Sequence, residues 1–231
     1  MSQLNSINQT QELDLPLISR RAGELSIITA GSFIILLIFL HFIKPKLDPS
    51  WSMVSEYALG DYGLIMDLAF LLMGVSCFSL ALALKSIVHS IPGKIGLFLI
   101  VVAGIGFVLA ALFKTDPIIT APNELSNQGV IHSIGASLGG LLPVSALFIA
   151  WGLSKNPFWR SIKSVILWAM AIILIAEIQM IISMMILLPE NDGKLGPTVL
   201  IGWQNRIMIM AYALWLIMAG KALKNTSEPM G

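Results

Sequence analysis

The chain has 231 residues, is 56% hydrophobic and 12% charged, and has a mean hydropathy of +0.85. A soluble domain carries about 25% charged residues, so this balance excludes one and indicates an integral membrane protein. A net charge of +1 gives no case for nucleic-acid binding, and the single cysteine, Cys77, excludes an intramolecular disulfide and a cysteine-based zinc site.

Residues 1–24 are polar and read as a cytoplasmic N-terminal segment. The apolar stretch that follows has no small-residue cleavage site, so it is expected to be a retained helix and not a secretory signal. A span needs about 20 mostly apolar residues, and six stretches qualify. They are predicted over Leu25–Ile43, Tyr62–Ile87, Lys94–Phe113, Val130–Leu153, Ile162–Leu188 and Val199–Leu223, with a cytoplasmic tail over 224–231. The fold class is therefore all-α, a polytopic bundle of six transmembrane helices. Pro143 lies inside the fourth span and is expected to kink it, because proline removes a backbone hydrogen bond.

Lysine and arginine set the orientation. With six spans both termini share a side, and that side holds Arg20, Arg21, Lys85, Lys94, Lys155, Arg160, Lys163, Lys221 and Lys224. The other side holds Lys44, Lys46, Lys114 and Lys194. Nine against four predicts cytoplasmic termini in the plasma (inner) membrane. The non-cytoplasmic loops are the longer ones, and Lys44 to Asp61 is the longest.

The ionisable residues collect in one layer near that side. Asp67, His132, Glu177 and Arg206 fall within spans; Glu56, Asp61 and Asp116 lie in loops above them, and His41 ends the first span. A charge in hydrocarbon costs on the order of 3 kcal/mol even on mild scales, so such groups are paired or functional. Asp67 and Glu177 could each pair with Arg206, or Arg206 could snorkel to the interface. The fourth span adds a run of small residues around His132: Ser133, Gly135, Ala136, Ser137, Gly139 and Gly140. Small residues let helices approach closely, and they can also leave room for a ligand.

Several segments resemble a known family. Ser55-Glu56-Tyr57-Ala58-Leu59-Gly60, then Gly63 and Met66, is similar to the signature that leads into the second helix of the DUF998 family. Phe113-Lys114-Thr115-Asp116-Pro117 resembles its aromatic-x-Thr-Asp-Pro segment, His132 its histidine at the start of the fourth helix, and Gly202 to Arg206 its Gly-x-x-x-Arg. Asn205 stands where that family often has an acid before the arginine. The resemblance covers about residues 25–220 and implies a six-helix bundle. It implies no activity.

These readings converge on an outward-facing polar pocket that binds or processes a lipid or other small amphiphile. The candidate ligand-binding residues are Ser55, Glu56, Tyr57, Asp67, Asp116, His132, Glu177 and Arg206. Glu56, Asp67, Asp116 and His132 carry the chemistry for acid, base or metal-ligand roles, and none is assigned a reaction. A metal would have to be held by His132 with Asp67, Asp116 or His41, although no spacing demands one. No cofactor is named by any motif, and membrane lipids are the expected partners. A small transporter or channel and a purely structural bundle are the alternatives. Only Glu177 lies near mid-depth, and the cytoplasmic half lacks polar steps, which disfavours a through-path.

Overall fold

The computed structural model describes residues 16–156 and 159–225. The segments expected over 1–24 and 224–231 therefore fall largely outside the described residues. Within the described residues there are helices and no strands. In hydrocarbon each backbone N–H and C=O must be satisfied internally, and an apolar run does so as a helix.

The helices are α1 (Leu17–Ile43), α2 (Gly63–Lys85), α3 (Ile91–Leu112), α4 (Asn127–Gly139), α5 (Leu142–Leu153), α6 (Trp159–Glu190) and α7 (Gly202–Asn225). Taken together, α4 and α5 form the fourth span, so six segments are long and apolar enough to cross a membrane. α1 starts eight residues before the expected Leu25. Its first turns carry Arg20, Arg21 and Glu24, and the buried Ser19 hydrogen-bonds Ser86 beyond α2 at 3.0 Å. Hydropathy delimits the part of a helix that crosses lipid, not the whole helix.

The fourth span breaks where its proline directs. Pro143 has no N–H to offer the carbonyl four residues earlier, that of Gly139, which is the last residue of α4. The chain passes through a tight turn, in which Leu141 N–H donates to Leu138 O at 3.1 Å, and resumes when Ser145 N–H donates to Leu141 O at 2.9 Å.

The helices form a ring in chain order, with α1 closing onto α7 and α2 also touching α7. Phe33, Leu37, Met73, Leu80, Ile100 and Trp215 fill the middle, each at most 2% exposed. Between helices in lipid, close packing and hydrogen bonds replace the hydrophobic effect as the adhesive. Ser26 and Ser76 join α1 to α2 in this way, oxygen to oxygen at 2.9 Å. α3 and α4 meet backbone to backbone: a Cβ on Gly106 would lie 2.4 Å from Gly135 O. α5 packs on both α3 and α6, whereas α4 packs on α3 and stands off from α6 and α7. The ring is thus closed in the half that holds the short connections. It is parted between α4 and α6 in the half that holds the loops 44–62, 113–126 and 191–201.

Candidate functional site

The loop-rich end is built on a 3-10 turn, Val54–Ala58. Glu56 in this turn is only 6% exposed, yet its carboxylate is fully used. Oε2 accepts from Met53 N–H and Oε1 from Ile118 N–H, both at 3.0 Å, so one side chain ties the first long loop to the second. Val54 N–H donates to Asn205 Oδ1 at 2.9 Å, which ties the same turn to α7.

Arg206 holds the other side of this loop. Its Nε donates to His41 Nε2 at 2.8 Å, and Nη1 donates to the carbonyls of Ser52, Gly202 and Pro49 at 2.6, 3.0 and 3.3 Å. Nη2 donates to the Tyr57 hydroxyl at 3.4 Å, and the guanidinium carbon sits 5.6 Å from the Tyr57 ring centre. His41 Nδ1 lies 2.7 Å from Leu37 O. A carbonyl can only accept, so Nδ1 carries the proton and Nε2 is the acceptor that Arg206 uses. Neither Asp67 nor Glu177 pairs with Arg206. Its charge is answered by backbone carbonyls, an imidazole and a tyrosine, and it faces the loop instead of the bundle interior.

Asp67 pairs with Lys114, whose ammonium also donates to Ala58 O at 3.1 Å. The second carboxylate oxygen, Oδ1, is buried without a partner among the described residues. Nearby, Lys44 donates to the carbonyls of Tyr57 and Leu59. Burial holds its ammonium below the usual lysine range; Asp61 counters this shift and Lys114 adds to it.

The remaining candidates surround a cavity of about 650 Å³ between α3, α4, α6 and α7. At its rim, Asp116 Oδ2 accepts from Ser126 N–H at 2.8 Å, next to the positive end of the α4 dipole. The same oxygen would lie 1.9 Å from a Cβ on Gly129, so a larger residue there would displace the Asp116 carboxylate. About 8 Å further along α4 is His132, 3% exposed, with Phe70 edge-on at 6.0 Å. Its Nδ1 lies 2.9 Å from Phe113 O, and because a carbonyl can only accept, Nδ1 is the donor. The floor lies where α4 ends, roughly 20 Å from its start. There Tyr212 O–H donates to Glu177 Oε2, and Phe107 stands edge-on to Tyr212 at 6.4 Å.

Of the eight candidate ligand-binding residues, Ser55, Glu56, Asp116, His132 and Glu177 line the cavity, whereas Tyr57, Asp67 and Arg206 belong to the two clusters beside it. His41 has both ring nitrogens engaged. Among the described residues no three His, Cys, Asp or Glu side chains converge as a metal ion requires. The small residues from 133 to 140 serve two faces: Gly135 packs on α3, Ser133, Ala136, Ser137 and Gly140 border the cavity, and Gly139 does both.

Three contributors escaped sequence reasoning. Tyr212 was legible as a polar-tipped ring deep in an apolar span, which usually implies a partner. Lys114 stood two residues from Asp116, in the segment already singled out. Met53, Met180, Met184 and Met208 form adaptable apolar walls.

No curated protein and no solved structure matches the chain. The family model described as a protein of unknown function, DUF998, matches residues 27–222. That match runs from the middle of α1 to the last turn of α7 and includes every cavity residue named above, and on it the chain belongs to the DUF998 family.

Proposed function

We propose that the protein is a binding protein of the plasma membrane that holds a lipid or other small amphiphile in the cavity beside α4. The termini lie in the cytoplasm on this reading, and the cavity opens on the opposite side. The observation that carries it is the cavity itself. Its volume falls within the roughly 300–1,000 Å³ usual for small-molecule sites, and its lining has the usual character, largely apolar with a few placed polar groups. The gap between α4 and α6 is a side entrance through which an amphiphile could arrive from the bilayer. Beyond Glu177 the ring closes over buried Ala146, Ile149, Ile166 and Ile173, which favours binding over passage to the other side.

The test fills the cavity. Ala136 is exposed toward it from α4, so Ala136→Trp occupies the space without disturbing the face on α3. Full-length wild type, purified in a non-ionic detergent and analysed by native mass spectrometry, is expected to carry a bound amphiphile. Ala136→Trp is expected to lose it while keeping a wild-type melting temperature after lipid removal. Wild type that carries none, or a variant that carries the same load, would overturn the reading.

A further inference from the structure

The charges that line the cavity have one sign. Glu56, Asp116 and Glu177 are its acids, and none of its described lining residues is Lys or Arg. The nearby cations are engaged elsewhere: Arg206 on loop carbonyls and His41, Lys114 on Asp67, and Lys44 on two carbonyls. Lys194 is exposed next to the lining residue Leu195 but does not itself line the space.

The three acids differ in what they have left to offer. Both oxygens of Glu56 are held by backbone N–H groups, and Asp116 caps the loop at the rim. Glu177 is at the floor. Tyr212 occupies its Oε2, and Oε1 accepts no hydrogen bond among the described residues. Beside it are the rings of Phe107 and Tyr212. A positive charge bound beside a recessed carboxyl favours its ionised form, so the two charges stabilise each other there. Aromatic faces do so as well, and the two together are the usual surroundings of bound organic ammonium groups. An anionic headgroup would meet three acids here and no cation.

We infer, building on the pocket reading above, that the cavity selects a lipophilic organic cation, a protonated or quaternary amine on a compact apolar body. The positive centre sits at Glu177 Oε1, and the apolar body lies against Met180, Met208 and Ile209. Anionic lipid headgroups are excluded, because the buried Arg206 that could have received them faces the loop.

Two probes of equal shape and opposite charge test this, tetraphenylphosphonium and tetraphenylborate, with uncharged triphenylmethane as the neutral reference. Binding to the full-length protein in non-ionic detergent is measured by equilibrium dialysis, and the part abolished by Ala136→Trp is taken as cavity binding. The phosphonium is expected to bind at least about tenfold more tightly than the borate, as a charge-assisted contact implies. Glu177→Gln is expected to weaken phosphonium binding roughly tenfold and to leave triphenylmethane unchanged. Cavity binding of the borate equal to or tighter than that of the phosphonium overturns the charge selection while leaving the pocket reading intact. The absence of cavity binding by all three probes overturns the pocket reading and the selection with it. If Glu177→Gln fails to fold, the wild-type ratio of phosphonium to borate decides the matter alone.

Discussion

Glu56 and Arg206 are both buried at the loop-rich end, and both act mainly on backbone. Glu56 answers two N–H groups from two different loops. Truncation leaves both donors unsatisfied, and at roughly 1.5 kcal/mol for each hydrogen bond to a charged group, Glu56→Ala should cost about 3 kcal/mol. Glu56→Gln keeps the shape and one acceptor oxygen, so it should fall between. Thermal melts in detergent check the order; an alanine variant that melts with the wild type would refute the clamp. The place of Arg206 near the start of the sixth span and of Glu56 in the loop before the second was legible in the sequence. Their direction was not. Pairing with Asp67 or Glu177 and snorkelling to the interface were the alternatives for Arg206, but carbonyls of the loop 48–52 and of Gly202, with His41 and Tyr57, supply its partners. Backbone acceptors leave no mark in a sequence, so an arginine that binds carbonyls reads the same as one that awaits a carboxylate.

At the scale of elements, the fourth span is what makes the cavity. Its small residues and its proline were visible in advance, and the break falls at Gly140–Leu141, just ahead of Pro143. The division of labour along α4 was not visible, since a run of small residues fits packing and a void equally well. Gly135 turns to α3 and Ala136 to the cavity because consecutive residues are about 100° apart on a helix. The α3–α4 contact fixes that rotation. Gly106→Val should therefore destabilise the bundle by about 2 kcal/mol, the cost of overpacking a filled site, since its Cβ would sit 2.4 Å from Gly135 O. Gly31→Val is the control, with nothing within 4 Å of its Cβ, and should melt close to wild type. Equal melting of the two variants would remove the α3–α4 contact as the support of the cavity wall.

For the whole molecule, the ring of helices is asymmetric along its axis, closed at one end and parted at the other. The proposed orientation puts the parted end outside the cytoplasm. Cys77, the single cysteine, is 0% exposed, so an introduced cysteine reports its own surroundings. Lys194→Cys should react with a membrane-impermeant maleimide on intact cells, and Lys155→Cys only after permeabilisation. The reverse pattern would invert the molecule and place the cavity mouth in the cytoplasm.

The sequence by itself determined that this is a helical membrane protein with six spans, because the thickness of hydrocarbon and the need to satisfy the backbone leave an apolar chain little other choice. It also called for a distortion of the fourth span at Pro143, a local steric effect, and it predicted one polar layer. Only the tertiary structure decided how that layer divides. Arg206 and Asp67 went to clusters that secure loops, while His132 and Glu177 went to a cavity. That division depends on the rotation of each helix about its axis and on the path of the loops between them, both set by contacts between residues far apart in the chain.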